Sequence, residues 1–369
     1  MYSHRRLEPL GGMNALRGVP RQQIVQESGA NTKRRTGGGR VGALLGAALI
    51  AVAGFSSTAA AQELITLHSF TGDDGANPEA GLIADPAGNL YGTTQRGGVT
   101  TTESCRPVGC GTVFQLTPSG TLNVLHSFTG SDGEEPFAGL IADAAGNLYG
   151  TTDSGGAPMS CNITTGCGTV FQLDTSGILT VLHSFTNYDG NHPDAGLIAD
   201  AAGNLYGTTL SGGDGGYGTV FQLDPSGTLT VLYSFTGGSD GRSPVGGLIA
   251  DAAGNLYGTT RGQLGAMGSC PLGCGTVFQL TPSGSLNVLH IFTGSDGASP
   301  PAGLSLIADA AGNLYGTTYG GGAGTGCIGG WGLRHGVRTD GTGEFYRAPG
   351  GAKYEHENVR QRGPRMGRR

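Results

Sequence analysis

Beyond residue 62 the apolar residues fall in short runs of four to eight, bounded by Gly, Asp or Pro, and no run has a helical period. That is the pattern of strands joined by tight turns. Residues 138–185 show one cycle: "AGLIAD", the turn "AAGN", "LYGTT", a Gly-rich loop, "GTVFQL", the turn "DTSG" and "ILTVLHSF". Two successive hairpins of this kind make a four-stranded antiparallel meander. In "TLNVLHSF", alternation puts Leu122, Val124, His126 and Phe128 on one face and Asn123, Leu125 and Ser127 on the other. Both faces carry apolar groups, as expected of a sheet sandwiched between neighbours.

The cycle repeats. Phe70, Phe128, Phe185, Phe235 and Phe292 are separated by 58, 57, 50 and 57 residues, a period of propeller blades or solenoids. With four strands per period, the expected fold is all-β: a β-propeller-like array of four-stranded antiparallel blades, incomplete. It has four full units (71–128, 129–185, 186–235, 236–292) and a partial fifth (293–327). The stretch "DAAGNLYGTT" at 143–152 returns unchanged at 200–209, 251–260 and 309–318, and as "DPAGNLYGTT" at 85–94. A segment built five times, with hardly a charge or nucleophile in it, reads as architecture. Asp85, Asp143, Asp200, Asp251 and Asp309 each lead a type I turn and accept backbone N–H groups. Gly88, Gly146, Gly203, Gly254 and Gly312 close those turns at positive φ. Gly92, Gly150, Gly207, Gly258 and Gly316 lie inside the second strand, where crowding toward a propeller axis is the expected reason for glycine. The fifth unit reads "AGLSLIAD", and its two extra residues keep later side chains on their faces.

Composition adds a compartment and excludes a partner. "KRRTGGGRVGALLGAALIAVAGFSSTAAAQE" has the basic, apolar and small-residue parts of a secretory signal. Residues 1–61 are therefore expected to be a leader and signal peptide cleaved near Ala61, and the remainder secreted or at the cell surface. The apolar run is short for a membrane span, and no second one follows. Residues 62–327 hold 21 acidic side chains against four arginines and no lysine, a surface that repels nucleic acid.

The units "LHSFTGSDG", "AGLIADAAGNLYGTT" and "GCGTVFQLTPSGTL" resemble the GloVer-type repeat of choice-of-anchor tandem repeat proteins. More distantly, "D-x-x-G-N-L-Y" is similar to blade motifs of NHL-like and two-component-regulator β-propellers. The resemblance covers residues 64–327 and implies bacterial export and surface display. It lends no catalytic residues, and the family's C-terminal anchor is not recognisable here.

Candidate chemistry is sparse. "GDDGANP" and "GSDGASP" lack the alternating ligands and terminal Glu of an EF-hand loop, so no metal or cofactor is expected. His68, His126, His183 and His290 share one blade position, filled by Tyr233 in another unit, and are expected to pack half-buried. No G-x-S-x-G or H-E-x-x-H occurs. The unrepeated acids Glu103, Glu134, Glu135, Asp153, Asp194 and Asp214 read as loop residues with no evident partner, so no catalytic site is expected. Cys105 and Cys110, Cys161 and Cys167, and Cys270 and Cys274 each lie in the loop before "GTVF", while the shortest such loop has neither cysteine. Gained or lost in pairs, they read as three intra-loop disulfides of an exported protein. The function expected is an extracellular or cell-surface binding or structural module, with a glycan or a protein as ligand. The alternative is a propeller hydrolase or lyase acting on extracellular carbohydrate.

From 328 to 369 the chain turns basic, with nine basic and four acidic residues, where "GTVFQL" is due. This segment is expected to be a disordered, frameshifted tail. Moving the codons of "LRHGVRTDGTGEFYRA" (333–348) by one nucleotide permits Cys-Gly-Thr-Val-Phe-Glu-Leu-Thr-Ala-Pro-Ala-Asn-Ser-Thr-Val-Leu, which is the missing strand and turn.

Overall fold

The computed structural model describes residues 64–99, 105, 107–157, 161, 166–262, 274–300, 306–320, 335–339 and 345–347. The chain divides into two units, Gly11–Leu67 and the remainder. Of the first unit residues 64–67 are described, with Leu64 and Ile65 exposed. The expected leader and signal, 1–61, lie outside the described residues.

The second unit holds every described strand, in five four-stranded sheets. The first is β1 (Ile83–Ala84), β2 (Leu90–Thr94), β3 (Thr112–Leu116) and β4 (Leu122–Ser127). The second is β5 (Ile141–Ala142), β6 (Leu148–Thr152), β7 (Thr169–Leu173) and β8 (Leu179–Ser184). The third is β9 (Ile198–Ala199), β10 (Leu205–Thr209), β11 (Thr219–Leu223) and β12 (Leu229–Ser234). The fourth is β13 (Ile249–Ala250), β14 (Leu256–Thr260), β15 (Thr276–Leu280) and β16 (Leu286–Ile291). The fifth is β17 (Ile307–Ala308), β18 (Leu314–Thr318), β19 (His335–Thr339) and β20 (Phe345–Arg347). Within each sheet the strands pair antiparallel in chain order, so each is one blade of a β-propeller-like array.

The blades are held face to face by apolar clusters. Val113 and Phe128 of the first blade pack with Leu140, Leu148 and Phe171 of the second. Val170 and Phe185 meet Leu197, Leu205 and Phe221 in the same way, and Val220 and Phe235 meet Leu248, Leu256 and Phe278. The paired Phe rings stand edge-on at 5.2, 5.1 and 5.3 Å. Burying one such side chain is worth about 1.5–3 kcal/mol, and the edge-on pairing adds about 0.5–1.5 kcal/mol.

The ten-residue motif is a hydrogen-bonded corner. Asp143 Oδ1 accepts the N–H of Ala145 and of Asn147 at 2.9 Å each. Its Oδ2 accepts Asn147 Nδ2 at 2.7 Å and the Tyr149 hydroxyl at 3.1 Å. Gln172 of β7 then donates to that hydroxyl at 3.0 Å, tying the turn to the third strand. Asp85, Asp200, Asp251 and Asp309 hold their Asn and Tyr alike. The glycines 88, 146, 203, 254 and 312 close these turns at φ between +82° and +88°.

Three expectations need correction. The second-strand glycines of the first four blades answer to a neighbouring ring and not to an axis: Gly150 lies across from Phe171, and a Cβ there would stand 2.6 Å from its Cζ. The fourth strands do not alternate strictly, because a bulge between Val113 and Phe114 shifts the register. It leaves Leu125 without a cross-strand partner, so that Val124 stands across from Phe114 while His126 stands across from Val113, on the face of Asn123. Finally, the fifth sheet has four strands, two of them inside the segment expected to be a disordered tail. The free edge of β18 offers a row of main-chain donors and acceptors that any extended segment can take up, and β19 does so from His335 to Thr339.

Candidate functional site

The same loop opens each unit, ending in a residue followed by proline. Those residues are Asn77, Glu135, His192, Ser243 and Ser299, all left-handed, with φ of 57°, 55°, 56°, 52° and 49°. A residue before proline is normally extended, and a non-glycine residue at positive φ is uncommon. At the last four of these the backbone is held from both sides. The amide of Glu135 donates to the Cys110 carbonyl at 2.9 Å, and its carbonyl accepts the Asp153 amide at 3.0 Å. His192 bonds Cys167 and Leu210, Ser243 bonds Tyr217 and Arg261, and Ser299 bonds Cys274 and Tyr319 in the same pattern. Glycine is needed beside this clamp. At Gly111 (φ +97°) a Cβ would lie 2.4 Å from the Thr94 carbonyl oxygen and 2.6 Å from Pro136 Cδ.

Backbone is therefore constant at these positions while the side chains differ. Asn77, Glu135, His192, Ser243 and Ser299 form one set of equivalents, and Gln95, Asp153, Leu210, Arg261 and Tyr319, which follow the second strand, form another. Adjoining positions carry Arg96, Glu134, Asn191, Asp194 and Arg242. Three of the four arginines of 62–327 sit here, as does the single histidine outside the repeat position.

Three of the unrepeated acids, Glu135, Asp153 and Asp194, thus have partners that the sequence did not show. Arg96 Nη2 donates to Glu135 Oε1 at 3.4 Å, and Asp153 Oδ1 lies 3.0 Å from His192 Nδ1. Burial opposes the charge of Asp153, but hydrogen bonds from His192 and Asp194 outweigh it and hold Asp153 below its ordinary value. The bond to Asp153 raises His192 against the effect of burial. Burial pushes Asp194 up to about 9, reinforced by its hydrogen bond to Asp153 and by that residue's charge, with Arg261 pulling the other way. Burial raises Glu134 as well, helped by the charges of Glu135 and Asp153. Asp194 Oδ1 and Asn191 Oδ1 are sealed from solvent without a hydrogen-bond partner. The cluster thus holds a neutral carboxyl, a carboxylate and an imidazole within one hydrogen-bonded group, and can both give and take protons. Both of these cross-links, Arg96 to Glu135 and Asp153 to His192, join residues 39 apart in sequence. The prolines 78, 136, 193, 244 and 300 mark where the charged residues recur from unit to unit, but not which of them meet. Glu103 lies outside the described residues, and Asp214 lies in the Cys-free loop.

The remaining candidates are structural. His68, His126, His183 and His290 each place Nε2 2.8 Å from the Asp six residues on, and stand edge-on to the Phe two residues on at 4.9–5.0 Å. Tyr233 reaches Asp240 at 3.1 Å, seven residues on, the insertion of one residue accommodating the longer ring. Cys105 is bonded to Cys110 and Cys161 to Cys167, with Cα atoms 4.9 and 5.5 Å apart. Cys274 is disulfide-bonded too, and Cys270 lies outside the described residues. Among the described residues, no group of three or more His, Cys, Asp or Glu is arranged to hold a metal, and no helix is long and apolar enough to cross a membrane.

Among solved structures, this chain is similar to a gluconolactonase of Xanthomonas campestris (18 % identity, TM-score 0.37, 66 % of this chain and 68 % of that one). It is also similar to a putative gluconolactonase (18 %, 0.35, 57 % and 65 %) and to a luciferin-regenerating enzyme (14 %, 0.40, 72 % and 92 %). No activity transfers at that level of likeness. No curated protein matches the chain significantly. The family model of the Gloeobacter/Verrucomicrobia repeat, in contrast, matches residues 53–160 and 159–330, well over half of the sequence. With the repeat and its blades in place, the chain belongs to the Gloeobacter/Verrucomicrobia repeat family.

Proposed function

We propose that this protein is an exported binding module, displayed at or beyond the cell surface, whose contact surface is the variable rim around the X-Pro residues. The observation that carries the reading is a strained backbone kept constant through five blades while its side chains change from Asn to Glu, His and Ser. Strain held by surrounding structure gathers at functional positions, and architecture alone gives no reason to vary the side chain. Buried disulfides suit an oxidising compartment. The acidic body, with its arginines gathered at the rim, suits a glycan or protein and disfavours nucleic acid. Screening the exported chain against glycan arrays and cell-wall preparations tests this: specific retention supports it, and retention nowhere removes it.

A second reading has one observation in its favour. Asp153 and Asp194 are unrepeated, adjacent carboxyl groups displaced in opposite directions, as an acid–base pair requires. On that reading the protein is a hydrolase or lyase acting on extracellular carbohydrate. Turnover of an arrayed glycan that is abolished by Asp153→Asn would favour it over simple binding.

A further inference from the structure

The carbonyls that hold the rim belong to the disulfide-closed loops. Cys110 accepts the amide of Glu135 at 2.9 Å, Cys167 that of His192 at 3.1 Å, and Cys274 that of Ser299 at 2.7 Å. Each of these cysteines precedes a third strand, and each rim residue opens the following blade. In the unit without cysteines Tyr217 takes the same place, 2.8 Å from the Ser243 amide. Its ring is braced where a Cβ on Gly237 would fall, 2.7 Å from Tyr217 Cε2.

A carbonyl is only as well placed as the backbone behind it. In the first clip Gly109 donates to the Cys105 carbonyl at 2.7 Å and Gly97 to that of Val108 at 2.8 Å. Cys105 and Cys110 are 2 % and 1 % exposed, inside the cluster that joins the first two blades. Closing so short a loop removes most of the freedom of the residue that carries the carbonyl. We infer that the clips are positioning devices: each disulfide fixes the left-handed rim residue of the next blade, so that opening it loosens the rim at Glu135, His192 and Ser299 and spares Ser243. Calling the rim a contact surface rests on the function proposed above; the hydrogen bonds themselves do not.

Residue-resolved amide exchange on the full chain tests this. In Cys105→Ala/Cys110→Ala the Glu135 amide should exchange about tenfold faster or more, the factor expected when one backbone hydrogen bond stops protecting its amide. His192 and Ser243 should keep their rates. In Cys161→Ala/Cys167→Ala the effect should move to His192. Equal acceleration of all three amides, which a general loss of stability produces, overturns the inference, as does no change. Should a double variant fail to fold, the wild-type chain is compared oxidised and after reduction. Ser243 staying protected while Glu135 and His192 open supports the device, and any other pattern refutes it. Cell-wall retention that ignores rim substitutions would sink the binding reading and leave the exchange result intact.

Discussion

Gly150→Ala tests why the repeat spends a glycine in the middle of a strand. A Cβ at Gly150 lies 2.6 Å from Phe171 Cζ, 3.0 Å from its Cε1 and 3.0 Å from Leu140 Cδ2, against about 3.5–4.0 Å for carbons in contact. Phe171 is fully buried and edge-on to Phe128 of the preceding blade, so its ring cannot withdraw without disturbing that interface. Overpacking such a site costs about 1–3 kcal/mol. Removing a glycine from the unfolded chain returns about 0.5–1 kcal/mol. The net expectation is a loss of roughly 0.5–2 kcal/mol, read from urea unfolding followed by circular dichroism. Gly316→Ala is the control, because among the described side chains the Cβ there meets one flexible end, Leu306 Cδ2 at 2.8 Å, and no ring. It should be near neutral. Adding Phe171→Leu to Gly150→Ala should give a double variant more stable than the sum of the two losses by about 1 kcal/mol. Wild-type stability for Gly150→Ala, or equal losses at Gly150 and Gly316, would show that the Phe171 ring is not what excludes a Cβ.

Two more predictions follow from the rim and the fifth blade. Asp194 holds its proton to about pH 9 in the folded chain, against about pH 3.9 unfolded. Its stabilising contribution is therefore full below about pH 4 and is lost as pH rises toward 9. Asp194→Asn should gain on the wild type steadily across that window, and a difference independent of pH would remove the assignment. In the fifth sheet Val337 stands across from Gly316, where Phe114, Phe171, Phe221 and Phe278 stand across from their glycines. The shifted frame places phenylalanine at 337, between threonine at 335 and leucine at 339, in that same register. Sequencing the gene should find codons that spell Thr-Val-Phe-Glu-Leu one nucleotide over, and codons that do not would end the idea.

The blades were legible because local chemistry makes them. The Asp-to-Gly turn, the period-2 runs and the phenylalanine spacing all act within one unit, and the structure follows them into four-stranded meanders. The histidine partner was equally local, six residues on in "HSFTGSD", yet hidden because Asp132 also caps Thr129 and reads as turn chemistry alone. The rim was not legible, since Arg96 and Glu135, or Asp153 and His192, meet only once blades stack. Glycine in the second strand misled for a related reason: the ring that excludes a Cβ there comes from the next strand. The bulge at Val113 and Phe114 leaves no residue type to announce it.

On the function proposed above, the rim makes the contact and the fourth strands do not. Retention of the full-length exported chain on cell-wall preparations and on the glycan array measures this directly, with circular dichroism confirming that each variant is folded. Arg96→Ala, Asp153→Asn and Arg261→Ala should each weaken retention about tenfold, close to 1.4 kcal/mol. Asn123→Ala, Thr180→Ala and Thr230→Ala, on exposed positions of the fourth strands, should leave it unchanged. Rim variants retained as well as the wild type, or fourth-strand variants losing as much, would place the contact elsewhere.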